Sequence, residues 1–179
     1  MIEVLAALSA SAAAGMRVAL PLLVFGLLQG DNLWSIVPLL SLIPPQIVFG
    51  ILTSWSLIEL FASKKILGQR VLQVVQLVFS PIAGAIVAIA AARTTGVSTW
   101  IIGIIGGLLA FVLQLVQLGW FYRLGSLPLW VVFVQDTFSV LLVFLAIEAP
   151  RLGGLIALIL LWMAVSRSNE LYRWYLQQR

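Results

Sequence analysis

The sequence predicts an all-α fold, a polytopic membrane bundle of about six transmembrane helices, some of them discontinuous, with both termini cytoplasmic. Three observations predict it. Of 179 residues, 63% are hydrophobic and only 9% are charged, too few polar groups to cover the surface of a soluble domain. Breaks at Gly30-Asp31, Ser63-Lys65, Arg93-Gly96, Arg123-Pro128 and Glu148-Arg151 leave apolar runs at residues 2–29, 46–62, 66–92, 97–122, 128–147 and 152–165. A hydrocarbon core about 30 Å thick takes roughly 20 helical residues at 1.5 Å each, which most of these runs can supply. Finally, the basic residues gather at alternate breaks.

Taken in order, the first run opens with Glu3 and has no early Lys or Arg, so it lacks the basic start of a signal peptide and is expected to remain as a helix. Gly15 and Pro21 can interrupt it, with Arg17 between them near its middle. The stretch from residue 30 to 45 is apolar but carries Pro38, Pro44 and Pro45, which fits a short interfacial or re-entrant helix better than another crossing. The second run ends near Glu59. The third contains VLQVVQL at residues 71–77 and then Ser80-Pro81, another expected helix break. The fourth contains VLQLVQL at residues 112–118, after Gly103, Gly106 and Gly107, which permit close helix packing. The fifth carries Gln135 and Asp136. The sixth begins with Gly153 and Gly154, and residues 166–179 form an amphipathic cytoplasmic tail beyond a bundle spanning residues 1–165.

With a cytoplasmic N-terminus, Lys64, Lys65, Arg70, Arg123, Arg167, Arg173 and Arg179 all fall inside, against Arg93 and Arg151 outside. Trp34 and Trp100 then sit at the outer interface and Trp120, Trp130 and Trp174 at the inner one, as aromatic belts require. Six segments also divide as three plus three, the arrangement of an inverted repeat, although the VLQ echo falls at non-equivalent positions of the two halves.

That echo places polar groups at depth. Gln73 and Gln76 come roughly 10 to 15 Å into the third segment, and Gln114 and Gln117 roughly 8 to 12 Å from the inner end of the fourth. Gln135 and Asp136 lie roughly 12 Å into the fifth by the same count. An amide on lipid would lack partners, so a spacing of three should turn each pair toward protein or water. Arg17 is costly at mid-membrane unless it is paired or faces a hydrated cavity. Asp136 is its expected partner by depth, with Glu59 second; Glu59 could instead hold Lys64 or Lys65. A purely structural role stands beside this, in which the amides join helices and the ion pair fixes register.

The chain has no Cys and no His, which removes disulfides, thiolate or imidazole metal ligands, and Cys or His catalysis. One Asp and one Glu at different depths offer no acid-base pair, so no enzyme, no metal and no cofactor is expected. The net charge of +4 lies at helix ends, where it orients the chain in the bilayer, and no nucleic-acid partner is expected.

The stretches AAAGMRVALPLL, ELFASKK, SPIAGA and LPLWVVFVQD resemble, in order and over most of the chain, a small bacterial membrane family called domain of unknown function 4126, most closely its cyanobacterial branch. Members of that family read AGLRAFLP, E-L-x-A-D-K, R-P-x-A-G-A and a late Glu-Asp pair. Arg17, Pro21, Glu59, Lys65, Pro81, Gly84 and Asp136 match those positions. Ser63 or its neighbour replaces an acid, Ser80 an Arg and Gln135 a Glu, while Gln114 and Gln117 stand where other members carry His and Lys. The resemblance implies a membrane fold, in a bacterial plasma or thylakoid membrane, and implies no activity.

Two functions follow as expectations. One is a small-solute or ion permease whose intramembrane site is Arg17, Asp136, Gln135, Gln73, Gln76, Gln114 and Gln117, with Glu59 and Lys65 as secondary charges. The other is a noncatalytic subunit or assembly factor of a larger membrane complex, or a homo-oligomer, in which the same residues are internally satisfied.

Overall fold

The computed structural model describes residues 2–29, 44–62, 66–92, 98–124 and 129–177. Among the described residues the chain is helical throughout: α1 Ile2–Met16, α2 Ala19–Gln29, α3 Pro45–Ala62, α4 Ile66–Ala91, α5 Thr99–Leu124, α6 Leu129–Glu148 and α7 Pro150–Gln177. Three stretches, Val71–Ala91, Thr99–Trp120 and Trp130–Glu148, are long and apolar enough to cross a membrane unaided. Ile2–Met16, Ala19–Leu28 and Pro150–Ser166 are apolar but shorter. This is a membrane protein. Its outward faces carry large apolar side chains such as Val71, Val78, Ile104, Leu108, Phe133 and Leu155, suited to lipid.

The bundle is built around its thinnest helix. Residues Ala6, Ala7, Ser9, Ala10, Ser11, Ala12, Ala13, Ala14 and Gly15 of α1 are all buried, and α1 packs against α4, α5, α6 and α7. Side chains this small let four helices approach one axis, and dispersion at short range replaces the hydrophobic drive that lipid removes. Ser9 Oγ donates to the Leu142 carbonyl of α6 (2.8 Å) and Ser11 Oγ to the Gly84 carbonyl of α4 (3.2 Å), tying the axis to its surroundings.

The largest helix pair is α4 with α5, and glycine sets its spacing. A Cβ on Gly84 would fall on the Ala110 Cβ and 2.8 Å from the Gly106 carbonyl oxygen, while one on Gly106 would strike Ala88 and Ser11. The two backbones therefore nearly touch where they cross. This pairing of Gly84 with Gly106 runs in register with Gln76 opposite Gln114, so residues 71–77 and 112–118 lie directly across from each other in antiparallel helices.

Two expected helix breaks are corrected. α4 runs unbroken through Pro81: one proline removes a single helical hydrogen bond, and the close approach of α5, whose Gly107 would place a Cβ 2.7 Å from the Pro81 carbonyl oxygen, holds the helix in place. Gly15 is itself helical, and its lack of a side chain serves contact instead, since a Cβ there would meet Ala110 backbone at 2.8 Å. The break in the first apolar run falls at Arg17 and Val18. Pro21 accounts for it: its nitrogen has no hydrogen to give the Arg17 carbonyl, and its ring occupies the space that bond would need. α7 continues as one helix past residue 165 to Gln177. Lys65, the stretch from residue 30 to 43 and the side chains of residues 167–179 lie outside the described residues.

Candidate functional site

Arg17 stands in the two-residue gap between α1 and α2. About 22 Å of helix precedes it and about 16 Å follows, so the gap falls near mid-membrane if the two pieces form one crossing. Two carbonyls at the gap find side-chain partners. The Ala13 carbonyl accepts from the Arg17 N–H (3.1 Å) and from Ser139 Oγ (3.2 Å), and the Met16 carbonyl accepts from Gln135 Nε2 (2.8 Å). α6 thus caps the C-terminal end of α1 with two side chains.

Arg17 is 6% exposed, and its guanidinium lies between two carboxylates from different helices. Its Nε is 2.7 Å from Asp136 Oδ1 on α6, and one Nη is 3.6 Å from Glu59 Oε2 on α3. Neither Arg17 Nε nor Asp136 Oδ1 makes a well-directed hydrogen bond, so their contact is ionic in character. The sequence favours Asp136 over Glu59; the structure brings both to Arg17. One guanidinium is thus shared by two carboxyl groups.

Glu59 is tied further. Its Oε1 accepts from Trp55 Nε1, one turn back on α3, and from Gln76 Nε2 on α4, both at 2.9 Å. Gln76 Oε1 in turn receives Gln114 Nε2 from α5 at 3.4 Å, a weak bond. On the other side Gln135 Nε2 also reaches Gln117 Oε1 at 2.9 Å. Five separate elements therefore meet in one polar layer. Gln73, Gln76 and Gln114 are buried, and Gln117, Gln135 and Asp136 are partly buried.

A family model described as Domain of unknown function (DUF4126) matches residues 4–169. The chain belongs to this family. No curated protein and no solved structure matches it. Every residue of the polar layer lies within the DUF4126 match, from Arg17 to Asp136.

Sequence reasoning missed several members of the layer. Trp55 shows no polar pattern on its own, although its spacing of four from Glu59 puts the two on one helix face. Ser139 lies one turn beyond Gln135, and the same rule could have found it. The Met16 carbonyl becomes available only through the helix gap. Among the described residues no group of three or more His, Cys, Asp or Glu is arranged to hold a metal ion.

Proposed function

We propose that this DUF4126 protein is a permease for a small solute or ion, with its binding site at the Arg17 gap. The observation that supports this most is a charged residue held on an unwound turn between two half-helices, reached by carboxylates from two other helices. Transporters place ligand sites at such discontinuities, because broken helix ends offer unpaired polar groups and opposed dipoles at depth. An intramembrane charge is also costly to keep without a use. In this reading the chain crosses six times with both termini cytoplasmic, and the layer is the site that alternates in access. The carboxylates are committed to Arg17, which suits binding better than bond chemistry.

The competing reading, a subunit of a larger membrane complex, is favoured by the mutual satisfaction of Gln135, Gln117 and the Met16 carbonyl. One experiment separates the two. Proteoliposomes of the purified protein, challenged on a solid-supported membrane with jumps in sodium, potassium, proton and small organic-ion concentration, should show a charge displacement that Arg17→Met abolishes. A silent protein that instead copurifies in fixed ratio with a second membrane protein would establish the subunit reading.

A further inference from the structure

We infer that α3 is a gate over the Arg17 site, held shut in this structure by the Glu59 carboxylate. The inference rests on reading the Arg17 gap as a ligand site, and it names the element that opens it. α3 is held to the bundle differently from its neighbours. Phe25 of α2, Val87 of α4, Leu109 of α5 and Leu142 of α6 are all buried apolar anchors, whereas among the described side chains of α3, residues 45–59, Glu59 alone is buried. Ile47, Ile51, Leu57 and Ile58 are exposed, and nothing lies within 4 Å of a Cβ placed on Gly50. The element packs chiefly on α2 and, beyond it, on α4.

Its two ends are attached by different means. Near the start, Val48 and Phe49 are partly buried against the core; such apolar contact resists turning little, because lipid can replace it. Near the other end the contacts are directional. Gln76 Nε2 of α4 donates to Glu59 (2.9 Å), Arg17 lies 3.6 Å from its second oxygen, and Trp55 meets Phe79 of α4 in a tilted ring pair with centroids 6.4 Å apart. The first end is thus a pivot and the second a latch. Release is provided for on both sides of the seam: Trp55 Nε1, one turn back on α3, travels with the carboxylate it serves, and Arg17 keeps Asp136 at 2.7 Å. The docked position also carries a cost, since Ser56 Oγ is buried there without a hydrogen-bond partner. Swinging the Glu59 end away from α4 frees one side of the guanidinium and the Gln76 amide N–H for a ligand.

Distances between spin labels test this in a chain with no natural cysteine. Leu57→Cys on α3 is labelled together with Leu158→Cys on α7, and Val78→Cys on α4 with Leu158→Cys gives the reference; all three positions are exposed. Pulsed dipolar spectra are recorded from the full-length protein in lipid nanodiscs. Glu59→Leu should move the α3 label into a second, shifted distance population, and Gln76→Leu should do so to a smaller extent, while the reference distance stays single. If Glu59→Leu fails to fold, Gln76→Leu decides alone, since it leaves Glu59 its contacts with Trp55 and Arg17. An α3 distance that neither variant alters overturns the inference, as does a reference distance that shifts as far as the α3 distance. An α3 that is released in a protein silent in proteoliposomes would keep the latch and remove the permease; a permease signal with an unmoved α3 would do the reverse.

Discussion

At the scale of single residues, Arg17 decides the most, because everything in the layer is arranged around its charge. Replacing it takes the shared guanidinium from two carboxylates at once. Arg17→Met should therefore cost about 3 to 5 kcal/mol, the range for breaking a buried ion pair by removing one partner. From sequence alone the natural rescue is Asp136→Leu, but Glu59 is 3% exposed and sits 3.6 Å from the guanidinium. The double variant Arg17→Met with Asp136→Leu should thus recover only part of the loss, and adding Glu59→Gln should recover most of the remainder. Equilibrium unfolding in detergent measures this series. Full recovery in the double variant would mean that Glu59 does not share the cation.

At the scale of elements, two devices shape the site: the gap that Pro21 enforces and the glycine crossing that joins α4 to α5. Pro21→Ala restores the missing N–H, so a continuous helix becomes available. Hydrogen exchange of amides around residues 18–22 should slow in that variant, and the Arg17-dependent signal of the proteoliposomes should fall while the protein still folds. Unchanged exchange would place the cause of the gap elsewhere. At the crossing, Gly106→Val must fit between Ala88 and Ser11 and should cost about 1 to 3 kcal/mol through overpacking. Gly50 on α3 has nothing within 4 Å of its Cβ position. Gly50→Ala should therefore be neutral or gain up to about 1 kcal/mol from helix propensity, which makes it the matched control.

These devices also show where the sequence was readable. Helix limits were, because polar breaks mark them: residues 66–92 were expected and Ile66–Ala91 is observed. The shared level of Gln76 and Gln114 was readable too, since rise per residue converts position into depth. Pro81 and Pro21 carry the same chemical signal, yet one breaks its helix and the other does not. At Pro81 the close approach of α5 through Gly107 holds the helix, a contact that a local pattern does not encode. Glu59 escaped for a related reason: counting gives depth along a helix, but not which side chain reaches across from a neighbour.

At the scale of the whole molecule, the central position of α1 explains why the site is where it is. The same small residues that let four helices surround α1 bring α6 close enough to cap it and to present Asp136. The sequence predicts how this bundle sits in its membrane, and labelling tests that directly in a chain with no natural cysteine. Single cysteines at Lys65, Arg123 and Ser168 should react from the cytoplasmic side only, and those at Asn32 and Thr95 from the outside only. Reaction of the Asn32 and Lys65 positions from one side would break the six-crossing arrangement.

The central claim is that one buried guanidinium is shared by two carboxylates from different helices, and a double-mutant cycle on the two acids tests it most directly. Unfolding free energies are measured for the wild type, Asp136→Asn, Glu59→Gln and the double variant. Either single change leaves Arg17 one counter-ion, so each should cost less than about 2 kcal/mol. The double change leaves it none, and should cost more than the sum of the singles by about 1 to 3 kcal/mol. Additive losses, or a double variant as stable as either single, would contradict the shared cation on which the site is built.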